Sequence, residues 1–339
     1  MSVEAPQASQ KDNDSKKSLQ VLVLGASGTA GKATMHALVR AGHNVTCLVR
    51  SASLNQLNTN ASIQLRTGDV TDPESILRDG FCGERFDVLV SCLASRNGAP
   101  ADAWEIDYKA NVNALAAAKQ AGVRHMVLLS AICVQRPRLI FQQAKLAFEN
   151  ELIKSGLTYS IVRPTAFFKS LSGQVERVKK GKPFLLFGDG TLTACKPISD
   201  NDLGDYIAEC ITKPERHNQI LPIGGPGNAI TPREQGEQLF AMTGMKPRFV
   251  KIPLALINSV RFVLETGGKL SSTINDKAEF ARIAHYYATE SMLVFNRETG
   301  QYDADNTPSS GTQTLFDFYA QLLDGTSTVE RREHAVFRD

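Results

Sequence analysis

LQVLVLGASGTAGKATMHALVRAGH, residues 19–43, decides how this chain is read. A short apolar run rich in valine and leucine comes first, then Gly25, Gly28 and Gly31, then a segment with apolar residues at helical spacing. That order is strand, turn, helix. Three glycines at this spacing have three physical uses: a tight turn, close approach of backbone N–H groups to a pyrophosphate, and packing of helix on strand. The positive end of the helix then faces the phosphates. The candidate cofactor contacts here are Gly25, Ser27, Gly28, Thr29, Ala30 and Gly31. A strand before and a helix after is the context a dinucleotide-binding turn requires.

The same unit recurs downstream. Strands are predicted at 43–50, 62–70, 85–94, 125–131 and 158–165, with helices at 109–123 and 141–155 and a capped helix start at DPESILRD. Near-continuous apolar strands alternating with helices predict an α/β fold, a Rossmann-type doubly wound parallel sheet. After residue 165 the alternation loosens into glycine turns (181–191), a short apolar strand (219–225) and a helix starting at Thr231-Pro232. We divide the chain into a polar tail (1–18), a nucleotide-binding core (19–165), a smaller, mainly substrate-binding C-terminal region (166–325) and a second tail (326–339).

Composition narrows the class. With 42% hydrophobic residues over 339 positions the chain buries a core without disulfides or metal. A net charge of +3 with scattered Lys and Arg disfavours nucleic acid. The six cysteines form no C-x-x-C pair and no zinc spacing, so no metal site is expected. No run reaches the ~18–20 apolar residues of a transmembrane span. Peripheral membrane contact and oligomeric state stay open.

The strand ends sharpen the cofactor. Strand two closes on Arg50, where an NAD enzyme usually places an acid; a guanidinium attracts a 2′-phosphate, so NADPH is expected. Asp69 and Val70 end strand three; Asp69 either meets adenine or caps the helix before Pro73. Cys92, Leu93 and Ala94 close strand four, and Pro164 and Thr165, closing strand six, line the nicotinamide side. Ser130 closes strand five, and Lys145 lies on the following helix, placed to hold the nicotinamide ribose. Lys145 is the catalytic candidate. In many reductases a tyrosine stands four residues before such a lysine and supplies a proton; here that position is Phe141. A carbonyl reduction needs an acid beside the developing alkoxide. Reduction of a conjugated C=C does not, because the charge spreads into the π-system. Phe141 therefore points to C=C chemistry or to loss of catalysis.

Several segments carry a resemblance: Trp104–Tyr108, Leu128–Val134 with Phe141-x-x-x-Lys145, Tyr159–Ser170, Phe187–Gly190, Ala194–Ser199, Leu221–Gly227 and Tyr286–Met292. From about residue 19 to 320 the chain resembles the NADPH-dependent divinyl chlorophyllide a 8-vinyl reductases. The resemblance implies an atypical short-chain reductase fold, NADPH as donor, and reduction of the C8 vinyl group of a magnesium porphyrin-type substrate. Hydride goes to the outer vinyl carbon and a proton to the inner one. It further implies a flat pocket walled by Phe141, Phe167 and Phe168. Arg163, Lys169 or Lys196 would anchor a carboxylate, and His285, beside Tyr286, would approach the magnesium. Residues 1–18 lack the features of a transit peptide, which implies a bacterial cytoplasmic chain or a trimmed plastid-stromal one. An NADP(H)-sensing regulator or an isoflavone-reductase-like enzyme would share the glycine turn and Arg50.

Overall fold

The computed structural model describes residues 18–57, 62–96, 98–259, 264 and 272–328. The tails read at 1–18 and 326–339 therefore lie almost wholly outside the described residues. Seven parallel strands form the main sheet in the order β3-β2-β1-β4-β5-β6-β8. They are β1 (Gln20–Leu24), β2 (Asn44–Val49), β3 (Ile63–Thr67), β4 (Val88–Ser91), β5 (His125–Leu129), β6 (Thr158–Pro164) and β8 (Gln219–Ile223). The order reverses between β1 and β4, the crevice where doubly wound sheets bind ligands.

Both faces of the sheet are apolar. In β1, Val21 and Val23 pack into one core and Leu22 and Leu24 into the other. This is why the strand reads as an unbroken apolar run rather than an alternation. The first core lies under α1 (Thr29–Arg40) and α8 (Asp200–Thr212). The second lies under α4 (Asn111–Gln120) and α5 (Ile140–Lys154). Helices α1 and α8 cross closely: a Cβ on Gly204 would sit 2.7 Å from the Ala33 carbonyl carbon. So α8 and β8, from the second half of the sequence, complete the nucleotide-binding layer.

A third core, with Phe168, Phe184, Phe240 and Tyr319, joins α6 (Phe168–Leu171), α7 (Val175–Lys179), β7 (Phe184–Phe187), α9 (Pro232–Thr243) and β9 (Phe249–Ile252) to a C-terminal helix, Leu315–Asp324. A strand thus occupies part of the 181–191 stretch read as turns. Helix α10 (Ser272–Thr289) and the hairpin β10 (Val294–Asn296) and β11 (Gln301–Asp303) adjoin the sheet mouth.

One local difference matters later. The helix read at 109–123 begins earlier. It starts at Pro100, runs through a π-helical stretch Ala103–Ala110 and continues as α4. Such wide turns recur at functional sites.

Candidate functional site

The glycine turn has the geometry a dinucleotide needs. Gly25 has φ +77°, and a Cβ there would come within 2.5 Å of the Cys92 carbonyl oxygen at the end of β4. A Cβ on Gly31 would strike Gly25 backbone, so this glycine lets helix meet strand. Gly28 is different: its nearest neighbour would be Gly25 oxygen at 3.4 Å, and the residue is exposed. The open side leaves room for a phosphate at the backbone. Gly28 caps α1 without a side-chain hydrogen bond, and the first turn holds no acid. Its positive end is therefore uncompensated by the chain itself. Ser27, Thr29 and Ala30 border this mouth, and Lys169 Nζ donates to Thr29 Oγ1 at 3.3 Å. Lys169 thus lies at the phosphate turn rather than at a substrate wall. Beside it, burial raises the Asp200 carboxyl to about 6, against the pull of the Lys169 charge.

Arg50 is exposed at the end of β2. The carboxylate of Asp69 lies below its usual range, chiefly through hydrogen bonds from Thr71 backbone and hydroxyl, with Arg50 adding its charge. The helix cap before Pro73 is Asp72, whose side chain accepts from Glu74 N–H. Asp69 instead closes its own turn, and Val70 packs half-buried on the second core. Cys92 and Leu93 are buried against the glycine turn, while Ala94 is exposed.

Around α5 the side chains form two charged networks. Lys145 Nζ pairs with Asp107 Oδ1 at 2.8 Å, and the Asp107 side chain is wholly buried. The same oxygen accepts from Ser95 N–H, and Oδ2 has no partner. One turn further along α5, Glu149 is buried and pairs through both oxygens with Arg163. The Ser130 hydroxyl donates to Glu149 at 2.5 Å. One expectation is corrected by this second network: Arg163 is committed to Glu149 and is not a free anchor for a substrate carboxylate. The Ser130 hydroxyl, expected at the cofactor, is held by Glu149.

Other expected residues divide similarly. Phe141 is half-buried on a small core with Ala166 and Ile283, and its ring lies 3.5 Å from where a Cβ on Gly98 would sit. Phe167 is half-buried against the first core. Phe168 is buried in the third core, against Phe318, which corrects its reading as a pocket wall. Pro164 and Thr165 are buried; Thr165 donates its hydroxyl to the Lys196 carbonyl. Lys196 Nζ donates to the Thr307 carbonyl, a backbone tie rather than a free anchor. Tyr286 is buried and donates to the carbonyls of Cys133 and Arg136, which gives it a clasping place; burial pushes its phenol well up. His285 is half-buried one residue earlier. Trp104 is exposed, edge-on to Tyr108.

Helix α10 grips the segment leading into α5. Glu279 accepts from the Ile140 N–H at the start of α5. Glu290, just past the helix, accepts from Arg136, Arg138 and the Tyr302 hydroxyl. Asp107, Glu149, Glu279 and Glu290 were not singled out from the sequence. Asp107 lay within the quoted Trp104–Tyr108 segment, but its partner is 38 positions away in numbering, 145 − 107.

Comparison with known proteins fits this geometry. The NAD(P)H-binding family matches residues 25–214, more than half the chain. The divinyl chlorophyllide a 8-vinyl-reductase, chloroplastic, of Arabidopsis thaliana is 48% identical over 332 residues, 92% of this chain and 78% of that protein. The protein of the same name from Cucumis sativus is 48% identical over 336 residues, 95% of this chain and 80% of its own. This chain belongs to the divinyl chlorophyllide a 8-vinyl-reductase family. It is an NAD(P)H-binding oxidoreductase of that family, with the Rossmann sheet described above. The leucoanthocyanidin reductase–NADPH complex from Vitis vinifera shares the fold at a TM-score of 0.64 and 12% identity, covering 90% of this chain and 99% of that one. Among the described residues no helix is long and apolar enough to cross a membrane.

Proposed function

We propose that this protein reduces the C8 vinyl group of divinyl chlorophyllide a to ethyl, with NADPH as donor. The observation that carries the reading is the 48% identity to a reductase of that name across nine-tenths of the chain. The site supports it. Bound NADPH supplies the hydride. Gly28 and the first turn of α1 hold its diphosphate, and Arg50 takes its 2′-phosphate. Lys145 holds the nicotinamide ribose. Phe141 places an apolar ring, not an acid, beside the reacting group, and Glu149 sequesters the Ser130 hydroxyl. No oxyanion forms when a conjugated vinyl group is reduced, so neither hydroxyl is needed. Phe141, Phe167 and the aromatic edge at Tyr287 offer apolar surface for a flat ring. The half-buried His285 remains the imidazole candidate for the ring magnesium. The chloroplastic relatives support a plastid-stromal rather than a bacterial setting.

The test is purified protein with NADPH and divinyl chlorophyllide a. A blue shift of the pigment's Soret band with matching NADPH loss is expected. Tight NADP(H) binding without either change would sink the reading and favour a sensor.

A further inference from the structure

We propose that Asp107 is the positioning residue for Lys145, holding its ammonium at the nicotinamide ribose; this rests on the NADPH reading above. Three observations carry it. The pair is short, 2.8 Å, with the Asp107 side chain 0% exposed and Lys145 12% exposed. A buried charge stays charged only beside a counter-charge. Asp107 lies buried on the π-helical stretch, and the Ser95 N–H donates to the oxygen that Lys145 uses. Its other oxygen is buried without a donor. A purely structural carboxylate is normally saturated, as Glu149 is one turn beyond Lys145 on α5. Asp107 is not saturated in this way.

No other group packed here can replace Asp107. Cys92, from the end of β4, and Cys133, from the loop after β5, both feel the Lys145 charge, yet burial keeps both thiols protonated, Cys92 up to about 12. Tyr286 near Cys133 is likewise pushed up and neutral. Glu149 is matched to Arg163. Asp107 is thus the anionic partner that Lys145 has among the described residues. When the ribose hydroxyls arrive, Lys145 can donate to them without giving up its hold on Asp107, because an ammonium has three donors.

Calorimetry with two ligands tests this: NADP+ and 2′,5′-ADP, which lacks the nicotinamide ribose. Asp107→Asn is expected to weaken NADP+ about tenfold, the worth of one charge-assisted hydrogen bond, while 2′,5′-ADP stays within about twofold. Asp107→Glu should restore part of the affinity. In a Lys145→Gln background, Asp107→Asn should add nothing, and this double variant strands no buried charge if the single one fails to fold. Equal losses for both ligands, or a further loss on the Lys145→Gln background, would overturn the proposal. Wild-type protein that binds neither ligand would overturn the cofactor reading itself, whereas binding without pigment turnover would touch only the vinyl-reductase reading.

Discussion

Two buried ion pairs sit one turn apart on α5, and they differ in completeness. Glu149 uses both oxygens on Arg163 and accepts a hydrogen bond from the Ser130 hydroxyl as well. Asp107 uses one oxygen for Lys145 and Ser95 and leaves the other bare. The saturated network joins α5 to β5 and β6, so it serves the frame. The unfinished one joins α5 to the π-helical stretch at the sheet mouth, where we propose it serves the ligand. The contrast teaches that burial and charge alone do not mark a functional group: two buried ion pairs on neighbouring turns differ in how fully their oxygens are engaged.

The comparison can be broken most forcefully at Glu149. Glu149→Gln strands the Arg163 guanidinium and should cost about 3–5 kcal/mol in denaturant unfolding at neutral pH. A loss under about 1 kcal/mol would mean the network is not a frame.

A second frame element lies at the opposite end of the sheet. His125 bonds to Ser160, which donates to the Arg216 carbonyl, and its ring stacks edgewise on His217 at 4.6 Å. Burial, with His217 adding repulsion, lowers His125 to about 4. The unfolded chain therefore binds this proton more readily than the folded one. Neutral His125 contributes its full stability above the unfolded value of about 6.5, and that contribution drains as pH falls toward 4. Up to about 3 kcal/mol should be lost over that window. His125→Gln should flatten the slope of stability against pH; an unchanged slope would assign acid lability elsewhere.

The unfinished pair predicts the reverse pattern. Removing both charges, with Lys145→Gln and Asp107→Asn together, should lower vinyl-reductase turnover about 100-fold. The denaturation midpoint should stay near wild type, because no lone charge remains. Activity within about threefold of wild type would remove Lys145 from the chemistry.

The smallest effect is expected at Arg50, which is exposed and interchangeable for the fold. Arg50→Gln should raise the NADPH dissociation constant about tenfold and leave NADH unchanged. Equal losses for both cofactors would place the 2′-phosphate elsewhere.

Much of this was legible from short stretches. Gly25, Gly28 and Gly31 announce their turn because the steric demand is local, and the apolar strands announce a two-faced sheet. Arg50 follows β2 directly, so its place at the strand end needs no long-range knowledge. Phe141 and Lys145 share one helix face at a spacing of four, which a helix guarantees. Lys169 was read toward the substrate, yet it reaches back 140 positions to Thr29 because the segment after β6 passes over the first turn of α1. Phe168 was read as a wall because an aromatic after a strand end is compatible with either side; only the third core shows where it packs.

By itself, then, the sequence determined the alternation of strand and helix, the dinucleotide turn, the cationic end of β2 and the absent hydroxyl at Phe141. Tertiary structure alone decided which buried charges meet: Asp107 with Lys145, Glu149 with Arg163 and Ser130, Glu290 with Arg136 and Arg138. The physical reason is range. Backbone preference and periodicity act over a few residues. The partner of a buried charge is chosen by whichever distant segment the packed core brings within about 3 Å, where desolvation makes that single contact decisive.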